Sequence, residues 1–142
     1  RSNVPLSVLK AVSRTETGRL KHKQIAPWPW TVNMEGKGVW FETPDAARAY
    51  AYKHYKRGAR SFDVGCFQIN YKWHHHAFAS IEEMFEPVAN ARYAASFLSK
   101  LGTLRLAAGF EFSFFDQFFL PVLMKPGMSF SQKPTTTLVM FM

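Results

Sequence analysis

The chain has 142 residues, a length that suits one domain with a hydrophobic core. Its formal net charge of +8 favours an anionic partner, such as a nucleic acid, an anionic membrane or an acidic polymer. No apolar run is long enough for a transmembrane helix, and because Cys66 is the only cysteine, an internal disulfide is excluded. The chain opens at Arg1 without a charged-then-apolar leader, so we expect either a processed protein or a fragment.

The first segment, Val4 to Arg14, is predicted to form a helix with Asn3 as its N-cap. Apolar residues recur at every fourth position from Val4, and Glu16 is the next member of that series. Gly18 is expected to follow the helix at the C′ position. The pattern therefore puts a carboxylate in the last helical turn, on the face that should pack against the core.

This position is unfavourable for an anion. The C-terminal end of a helix dipole and apolar surroundings both disfavour the ionised form, so we expect the pKa of Glu16 to be raised. A general acid needs such an environment, because it must hold a proton near neutral pH. The alternative is an amphipathic helix that ends in a solvated glutamate, and on this helix alone the two interpretations are equally open.

A basic loop is predicted over Arg19–Gln24, followed by the Pro27–Trp30 segment, whose prolines exclude a helix. Two β-strands are expected at Trp30–Met34 and Gly38–Glu42, joined by a turn at Glu35–Gly38. The tryptophans of this region can pack in the core or stack against sugar rings.

Two further helices have clear boundary signals. The first has Thr43 as its N-cap and runs through Ala46–Arg57. Ser80 begins a capping-box pattern, and a longer helix follows at Pro87–Leu101, with Gly102 as its stop.

Between these helices, Gly65 permits a close backbone approach, and Gln68 and Asn70 flank the apolar Ile69. Their carboxamides offer a donor and an acceptor together, which suits the hydroxyl and acetamido groups of sugars. The tract His74–His76 contains metal-ligand side chains, but adjacent residues on a helix do not share a face, so we predict no metal site.

The composition changes after Gly102. All five Tyr, four Trp and five His precede this residue, whereas eight of the fourteen Phe follow it. Helical periodicity is poor there, and the charged residues Arg105, Glu111 and Asp116 argue against a membrane span.

Four segments in this order carry a family resemblance: Val4–Leu9 leading to Glu16–Gly18, Pro29–Asn33 with Gly38–Phe41, Gly65–Asn70, and Asn90–Ala95. A Glu followed by a small hydroxyl residue and Gly at a helix end, a Gly-x-x-Gln-Ile-Asn segment and a later Ala-x-x-Tyr-type helix together resemble the Slt-type lytic transglycosylases of bacterial cell walls. The resemblance covers residues 4–101, about two-thirds of the chain.

The resemblance implies a mainly α (α+β), lysozyme-like domain at residues 1–101, with a small β-hairpin region and a groove for a glycan strand. It implies a carbon–oxygen lyase with Glu16 as its single acid/base. Glu16 would protonate the glycosidic oxygen between N-acetylmuramic acid and N-acetylglucosamine, then take the proton of the muramoyl 6-hydroxyl as that oxygen closes on C1. The substrate acetamido group can replace the second carboxylate of ordinary glycosidases, for which Asp63 and Glu35 are the only candidates near the motif.

By the same resemblance, six residues are expected to bind the substrate: Thr17, Trp30, Gln68, Ile69, Asn70 and Tyr93. No cofactor and no metal are implied. The expected partner is the glycan strand of peptidoglycan rather than nucleic acid, and the expected location is the periplasm or cell envelope, with a secretion or flagellar machine as a further candidate partner.

The chain departs from the family after residue 101. The family has a further helix there, with an Ala-Tyr-Asn-like motif whose Tyr faces the catalytic Glu, whereas residues 102–142 contain no tyrosine. We expect residues 102–142 to be an atypical Phe-rich tail, disordered or aberrant in origin, that does not replace this helix.

Three other functions stay open at this point. A lysozyme-type hydrolase would cut the same bond with water and leave a reducing end. A non-catalytic cell-wall binding module would result if the C-terminal part of the groove is lost. A basic nucleic-acid binder is the most distant possibility, because the sequence carries no helix-turn-helix and no aromatic-basic RNA-binding signature.

Overall fold

The structure is a computed structural model that describes residues 2–107, with side chains described through Lys100. Over that range the chain forms a mixed α+β domain, which agrees with the mixed fold class expected from the sequence. The predicted Phe-rich tail lies outside the described residues from residue 108 onward.

Five α-helices occur in the described range: α1 (Leu6–Thr17), α2 (Pro44–Lys56), α3 (Tyr71–His74), α4 (Ile81–Phe85) and α5 (Pro87–Ala107). A 3-10 turn at His75–Ala77 follows α3. The strands of the same range are β1 (Arg19–Lys21), β2 (Gln24–Ala26), β3 (Thr31–Met34), β4 (Lys37–Trp40), β5 (Phe62–Val64) and β6 (Ile69–Asn70).

Strands β3 to β6 form an antiparallel sheet in the order β4-β3-β5-β6. Because side chains alternate between the two faces of a strand, the register separates an apolar face from a polar one. The apolar face joins the hydrophobic core through Val32, Met34, Phe62 and Val64. The polar face carries Asn33, Asp63 and Asn70 side by side, since Asp63 is paired with both asparagines.

Helix α1 begins and ends later than predicted. Asn3 is not its N-cap; Pro5 holds that position and makes no side-chain capping bond. Proline disfavours a helical conformation in the residue before it, which excludes Val4 from the helix. The helix continues to Thr17, so Glu16 does lie in its last turn.

Gly18 is the C-cap of α1, but it does not adopt the left-handed conformation that the C′ prediction implied, because its φ is −53°. A Cβ atom at this position would lie 2.3 Å from the Arg14 carbonyl oxygen and 2.7 Å from Cγ2 of Ile25. Glycine is therefore needed here for close packing of β2 against the helix end.

The basic loop predicted over Arg19–Gln24 is wrong. Strands β1 and β2 pair as an antiparallel hairpin through this segment, with Leu20 opposite Ile25. The two-residue turn has positive φ at both His22 (48°) and Lys23 (64°), the geometry of a type I′ turn. The usual Asn-Gly signal of that turn is absent, which is why the sequence pattern did not indicate it.

The hairpin predicted between residues 30 and 42 and the second helix are confirmed. Strands β3 and β4 are joined at Glu35 and Gly36, both with positive φ. The Thr43 hydroxyl caps α2 by accepting a hydrogen bond from the Ala46 N–H at 3.2 Å. The Ser80 hydroxyl caps α4 in the same way.

The predicted end of the last helix is wrong, because α5 passes through Gly102 and reaches Ala107. A glycine inside a helix costs only about 1 kcal/mol relative to alanine, which neighbouring residues can offset. Within residues 2–107, no helix combines the length and the apolar character that crossing a membrane requires.

Candidate functional site

Glu16 occupies a buried position at the end of α1, with 9% of its surface exposed. It lies on the helix face that also buries Val12, Ser13 and Thr17. The structure thus places a carboxylate in the last turn of a helix and away from bulk water, as the apolar series in the sequence predicted.

The neighbouring residue, Thr17, joins α1 to two distant segments. Its fully buried hydroxyl lies 2.9 Å from the Cys66 carbonyl oxygen and accepts a hydrogen bond from the Trp28 N–H at 3.2 Å. The Trp40 indole N–H donates to the Thr17 carbonyl oxygen at 3.3 Å. Thr17 was predicted to bind substrate; here its side chain holds the backbone around Glu16.

The side chain of Asn90, in α5, hydrogen-bonds the backbone of the turn that follows β5. The side chain of Asn90 accepts from the Phe67 N–H at 3.0 Å and donates to the carbonyl oxygens of Val64 and Met84 at 3.1 and 2.8 Å. Gly65 has a φ of 82°, and a Cβ atom there would lie 2.4 Å from Nδ2 of Asn90. The close approach that Gly65 permits is present in the structure, and the neighbour is the side chain of Asn90.

We call these connected parts the Thr17 junction: Thr17, the turn Gly65–Asn70 and Asn90. They bring together the end of α1, the segment after β5 and the start of α5. Trp28 and Trp40 attach the aromatic segment to the same point.

Gln68 lies inside the junction rather than on an open surface. Its side chain is buried, and its amide donates to the carbonyl oxygens of Thr31 and Gly65 at 3.2 and 2.9 Å. Its Oε1 is buried and has no hydrogen-bond partner among the described residues. The geometry favours a role in holding the turn, with one acceptor oxygen left to a water or a ligand.

Asn70 belongs to a polar row across the sheet, made of Asn33, Asp63 and Asn70. Asp63 is 2% exposed and accepts hydrogen bonds from the side-chain amides of Asn70 at 2.8 Å and of Asn33 at 3.2 Å. The Oδ1 atoms of both asparagines are buried without a partner among the described residues. Such acceptors are rare in folded proteins and suit a bound hydroxyl, N–H or water.

The remaining predicted binding residues lie in different surroundings. Ile69 is fully buried in the core, and Trp30 is half-buried and packs against it. The Tyr93 hydroxyl lies 2.6 Å from Nδ1 of the buried His74, and burial raises the pKa of Tyr93. Tyr93 also packs against Phe97 at a ring-centre distance of 6.1 Å, so it belongs to an aromatic cluster on α5.

The two candidate second carboxylates differ in position. Glu35 is exposed in the β3–β4 turn, where it forms an ion pair with Arg57 at 2.7 Å. Asp63, in contrast, is buried on the polar face of the sheet, in the strand that leads into the Thr17 junction. Of these two, only Asp63 lies in the strand that directly precedes the junction turn in the chain.

The histidine tract is divided by the fold. His74 is buried, while His75 and His76 are exposed. Among the described residues, no three His, Cys, Asp or Glu side chains are grouped so that they could hold a metal ion.

Sequence reasoning missed the parts played by Asn33 and Asn90. Both fall inside segments of the family resemblance. Their hydrogen-bond partners are far away in the sequence, 30 residues from Asn33 to Asp63 and 23 residues from Asn90 to Phe67, so no helical or strand periodicity connects them. A useful signal was available for Asn90, since an uncharged carboxamide stands among the small apolar residues at the start of a predicted helix.

Comparison with protein families, with curated proteins and with solved structures finds no match to this chain, so its function has to be argued from the site.

Proposed function

We propose that residues 1–101 are the catalytic domain of a peptidoglycan lytic transglycosylase with a lysozyme-like architecture. One observation carries the proposal: the four segments that resemble this family, although far apart in the chain, meet at the Thr17 junction. The Thr17 hydroxyl bonds the Cys66 carbonyl oxygen, and the Trp40 indole N–H donates to the Thr17 carbonyl oxygen. Asn90 bonds the turn that contains Cys66. A chance likeness of four short segments would give no reason for them to share one buried network.

In this proposal Glu16 acts as both acid and base. It gives its proton to the oxygen that links N-acetylmuramic acid to N-acetylglucosamine, and the bond from that oxygen to C1 of the muramoyl unit breaks. The muramoyl 6-hydroxyl then forms a new bond to C1 and returns its proton to Glu16, leaving a 1,6-anhydro end. No water is consumed, and the carboxyl group is restored to its starting state.

The surroundings of Glu16 suit this use. A buried carboxyl at the C-terminal end of a helix faces the negative end of the helix dipole, which favours the protonated form that a general acid needs. The Thr17 junction holds the backbone of the same helical turn through two long-range hydrogen bonds. Catalytic groups depend on such positioning, because small displacements reduce the rate strongly.

In this proposal the polar row acts on the sugar through bound water. The Oδ1 atoms of Asn33 and Asn70 are buried and have no partner among the described residues, so each can accept from a water that in turn bonds a hydroxyl or acetamido group of the glycan strand. Thr17, Gln68 and Ile69 act beneath this surface, as supports of the turn and core.

A lysozyme-type hydrolase is the second candidate, with Asp63 as its second carboxylate. A retaining hydrolase needs a second carboxylate to stabilise or attack C1. Asp63 is such a group on the polar row, held by two asparagine amides. In the transglycosylase reaction, Asp63 would instead orient Asn33 and Asn70.

The test of the proposal is the Glu16→Gln variant, assayed on purified peptidoglycan with mass analysis of the released muropeptides. The substitution keeps the shape of the side chain and removes the titrating proton. Loss of a general acid typically lowers the rate by about 10²- to 10⁴-fold, and Glu16 serves in both steps. Glu35→Gln is the matched control, because Glu35 is exposed in a distant turn, and it should keep the parent rate.

The products decide between the candidates. Anhydro-muramoyl ends identify the transglycosylase, whereas reducing ends, together with a large loss in Asp63→Asn, identify the hydrolase. Binding to peptidoglycan without any cleavage would identify a non-catalytic module. Cleavage by Glu16→Gln at the parent rate would remove Glu16 from the mechanism.

A further inference from the structure

The β1–β2 hairpin and the exposed side of α1 form a cationic surface. Glu16 is the only acidic residue between residues 2 and 34, and it is buried. The same stretch contains five basic residues: Lys10, Arg14, Arg19, Lys21 and Lys23. A surface of one sign attracts and orients an anionic partner.

This surface contains an open depression between the end of α1 and the hairpin. It is lined by Arg14 and Thr15 from the helix and by Gln24 and Ile25 from β2. Thr15 is the residue directly before Glu16, so the depression begins one residue from the proposed acid. Its lining offers a cation, a hydroxyl, a carboxamide and an aliphatic side chain.

An apolar pair stands at the same place. Leu20 and Ile25 are directly opposite each other in the hairpin, on one face, and are 71% and 58% exposed. Together they form a small exposed apolar pair within the cationic surface. Here they are bordered by cations, which suits a partner with both methyl groups and carboxylates.

The cations of the surface differ in how far they are already engaged. Arg19 forms an ion pair with Glu42, and both Arg19 and Lys21 lie over the Trp28 ring at 4.7 and 4.9 Å. Lys10, Arg14 and Lys23 form no ion pair with any described carboxylate. Of these three, Arg14 lines the depression and Lys23 directly precedes its lining residue Gln24, so these two charges are the ones placed to meet a ligand there.

We infer that this depression binds the acidic stem peptide carried by the muramoyl unit of peptidoglycan. The inference rests on the proposed function, since the peptide is covalently part of that substrate. A stem peptide combines free carboxylates, backbone amides and alanine methyl groups. Arg14 and Lys23 pair with the carboxylates, Gln24 and Thr15 bond the peptide backbone, and Ile25 with Leu20 contacts the methyl groups.

An open depression lined by a carboxamide and a hydroxyl offers directional hydrogen bonds that suit a peptide better than a lipid surface. Peptide groups need donors and acceptors at fixed spacing, whereas a bilayer surface selects for cations and apolar groups alone. Binding to an anionic membrane is therefore treated as a competing outcome of the experiment.

The experiment compares two substrates, peptidoglycan with its peptides and the same glycan strands after an amidase has removed them. The Arg14→Gln/Lys23→Gln variant should lose about three- to tenfold in kcat/KM on the peptide-bearing substrate, because exposed charge pairs are individually weak. On the peptide-free strands it should match the parent. Lys53→Gln/Lys56→Gln on α2 is the matched control, since both lysines are exposed and the charge change is identical.

An equal loss on both substrates would overturn the inference, as would an equal loss in the α2 control. If the parent cleaves neither substrate, the proposed function fails but the site can still be tested with a free acidic stem tripeptide. The tripeptide should then perturb the Trp28 fluorescence of the parent and not of the Arg14→Gln/Lys23→Gln variant, and no perturbation would overturn the inference. Sedimentation with phosphatidylglycerol vesicles that depends on Leu20 and Ile25, without tripeptide binding, would assign the surface to a membrane instead.

Discussion

The Thr17 junction and the β1–β2 hairpin both adjoin the end of α1, yet they are stabilised in opposite ways. The junction consists of buried polar groups with partners far along the chain, as in the bonds of Thr17 and Asn90. Hairpin residues 20–26 are all exposed, and its pairing is between neighbours in sequence. Its contacts outside the hairpin include the Arg19–Glu42 ion pair and cation–π contacts to Trp28.

This difference in stabilisation suits the junction to holding Glu16 and the hairpin to contacting a ligand. Buried hydrogen bonds are costly to break, because each unsatisfied group loses about 1–3 kcal/mol, so the junction can hold Glu16 at one position. An exposed, locally paired hairpin opens and shifts at much lower cost, which suits contact with a variable ligand. Substitutions in the junction should therefore lower the stability of the fold, whereas substitutions in the hairpin should change substrate preference.

The largest effect is expected for Gly65→Ala. A left-handed conformation costs a non-glycine residue about 1–2 kcal/mol, and crowding of Asn90 should add about 1–3 kcal/mol. The free energy of unfolding, measured with urea, should therefore fall by about 2–5 kcal/mol, the sum of these two contributions.

Gly58→Ala is the matched control for that prediction. Gly58 also has a positive φ, of 102°, but a Cβ atom there would meet nothing within 4 Å. The Gly58→Ala variant should therefore lose only about 1–2 kcal/mol, which is what the left-handed conformation costs a non-glycine residue. Adding Asn90→Ala to Gly65→Ala should cost less than the sum of the two single changes, and strict additivity would mean that Asn90 is not what the new Cβ meets.

The second-largest effect is expected in the rate at which Cys66, within the junction, reacts with a thiol label. Burial raises the pKa of this thiol from 9.0 to about 11. Since the thiolate is the reactive form, labelling at pH 8 should be about 100-fold slower than for an ordinary thiol. The logarithm of the rate should keep rising with pH beyond 9, whereas the urea-unfolded chain should level off near that pH. A folded-state profile that levels at the same pH as the unfolded one would show that the thiol is accessible.

Thr17→Val should have a smaller effect on stability. The substitution keeps the shape but removes the hydroxyl that accepts from the Trp28 N–H and that shares its proton between the carbonyl oxygens of Cys66 and Ser13. We expect a loss of about 2 kcal/mol in the free energy of unfolding. Ser13→Ala is the control, because the Ser13 hydroxyl bonds only within α1, to the Lys10 carbonyl oxygen, and its removal should cost less. Equal losses in both variants would mean that the long-range bonds of Thr17 contribute nothing.

The smallest effect is expected in the hairpin. His22→Asn places a residue that tolerates positive φ better at the first position of the β1–β2 turn. Amide exchange at Lys21 and Gln24, the hydrogen-bonded pair next to the turn, should slow two- to threefold, as expected for about 0.5 kcal/mol of local stabilisation. Global unfolding should change little. His76→Asn makes the same change where φ is not positive and should leave exchange in the hairpin unaltered; slowing there would point to a cause other than the turn.

Much of the local structure was predictable because its signals are contained in short segments. Thr43 and Pro44 together define the start of α2, and Glu35–Gly36 lies between two strands with alternating apolar residues. The β1–β2 hairpin was missed because His22 and Lys23 carry no turn signal of their own.

The amino-acid sequence alone was enough to place Glu16 in the last turn of a helix, because the apolar series with helical spacing continues to it. It left open whether this carboxylate is buried or solvated, and the tertiary structure shows that it is buried. The sequence also indicated that Gly65 permits a close neighbour. The tertiary fold was needed to show that this neighbour is Asn90 and that Asn33, Asp63 and Asn70 form one row. Those contacts depend on strand register and on the packing of α5, and hydrogen bonds between residues far apart in the chain leave no periodicity in the sequence from which they could be predicted.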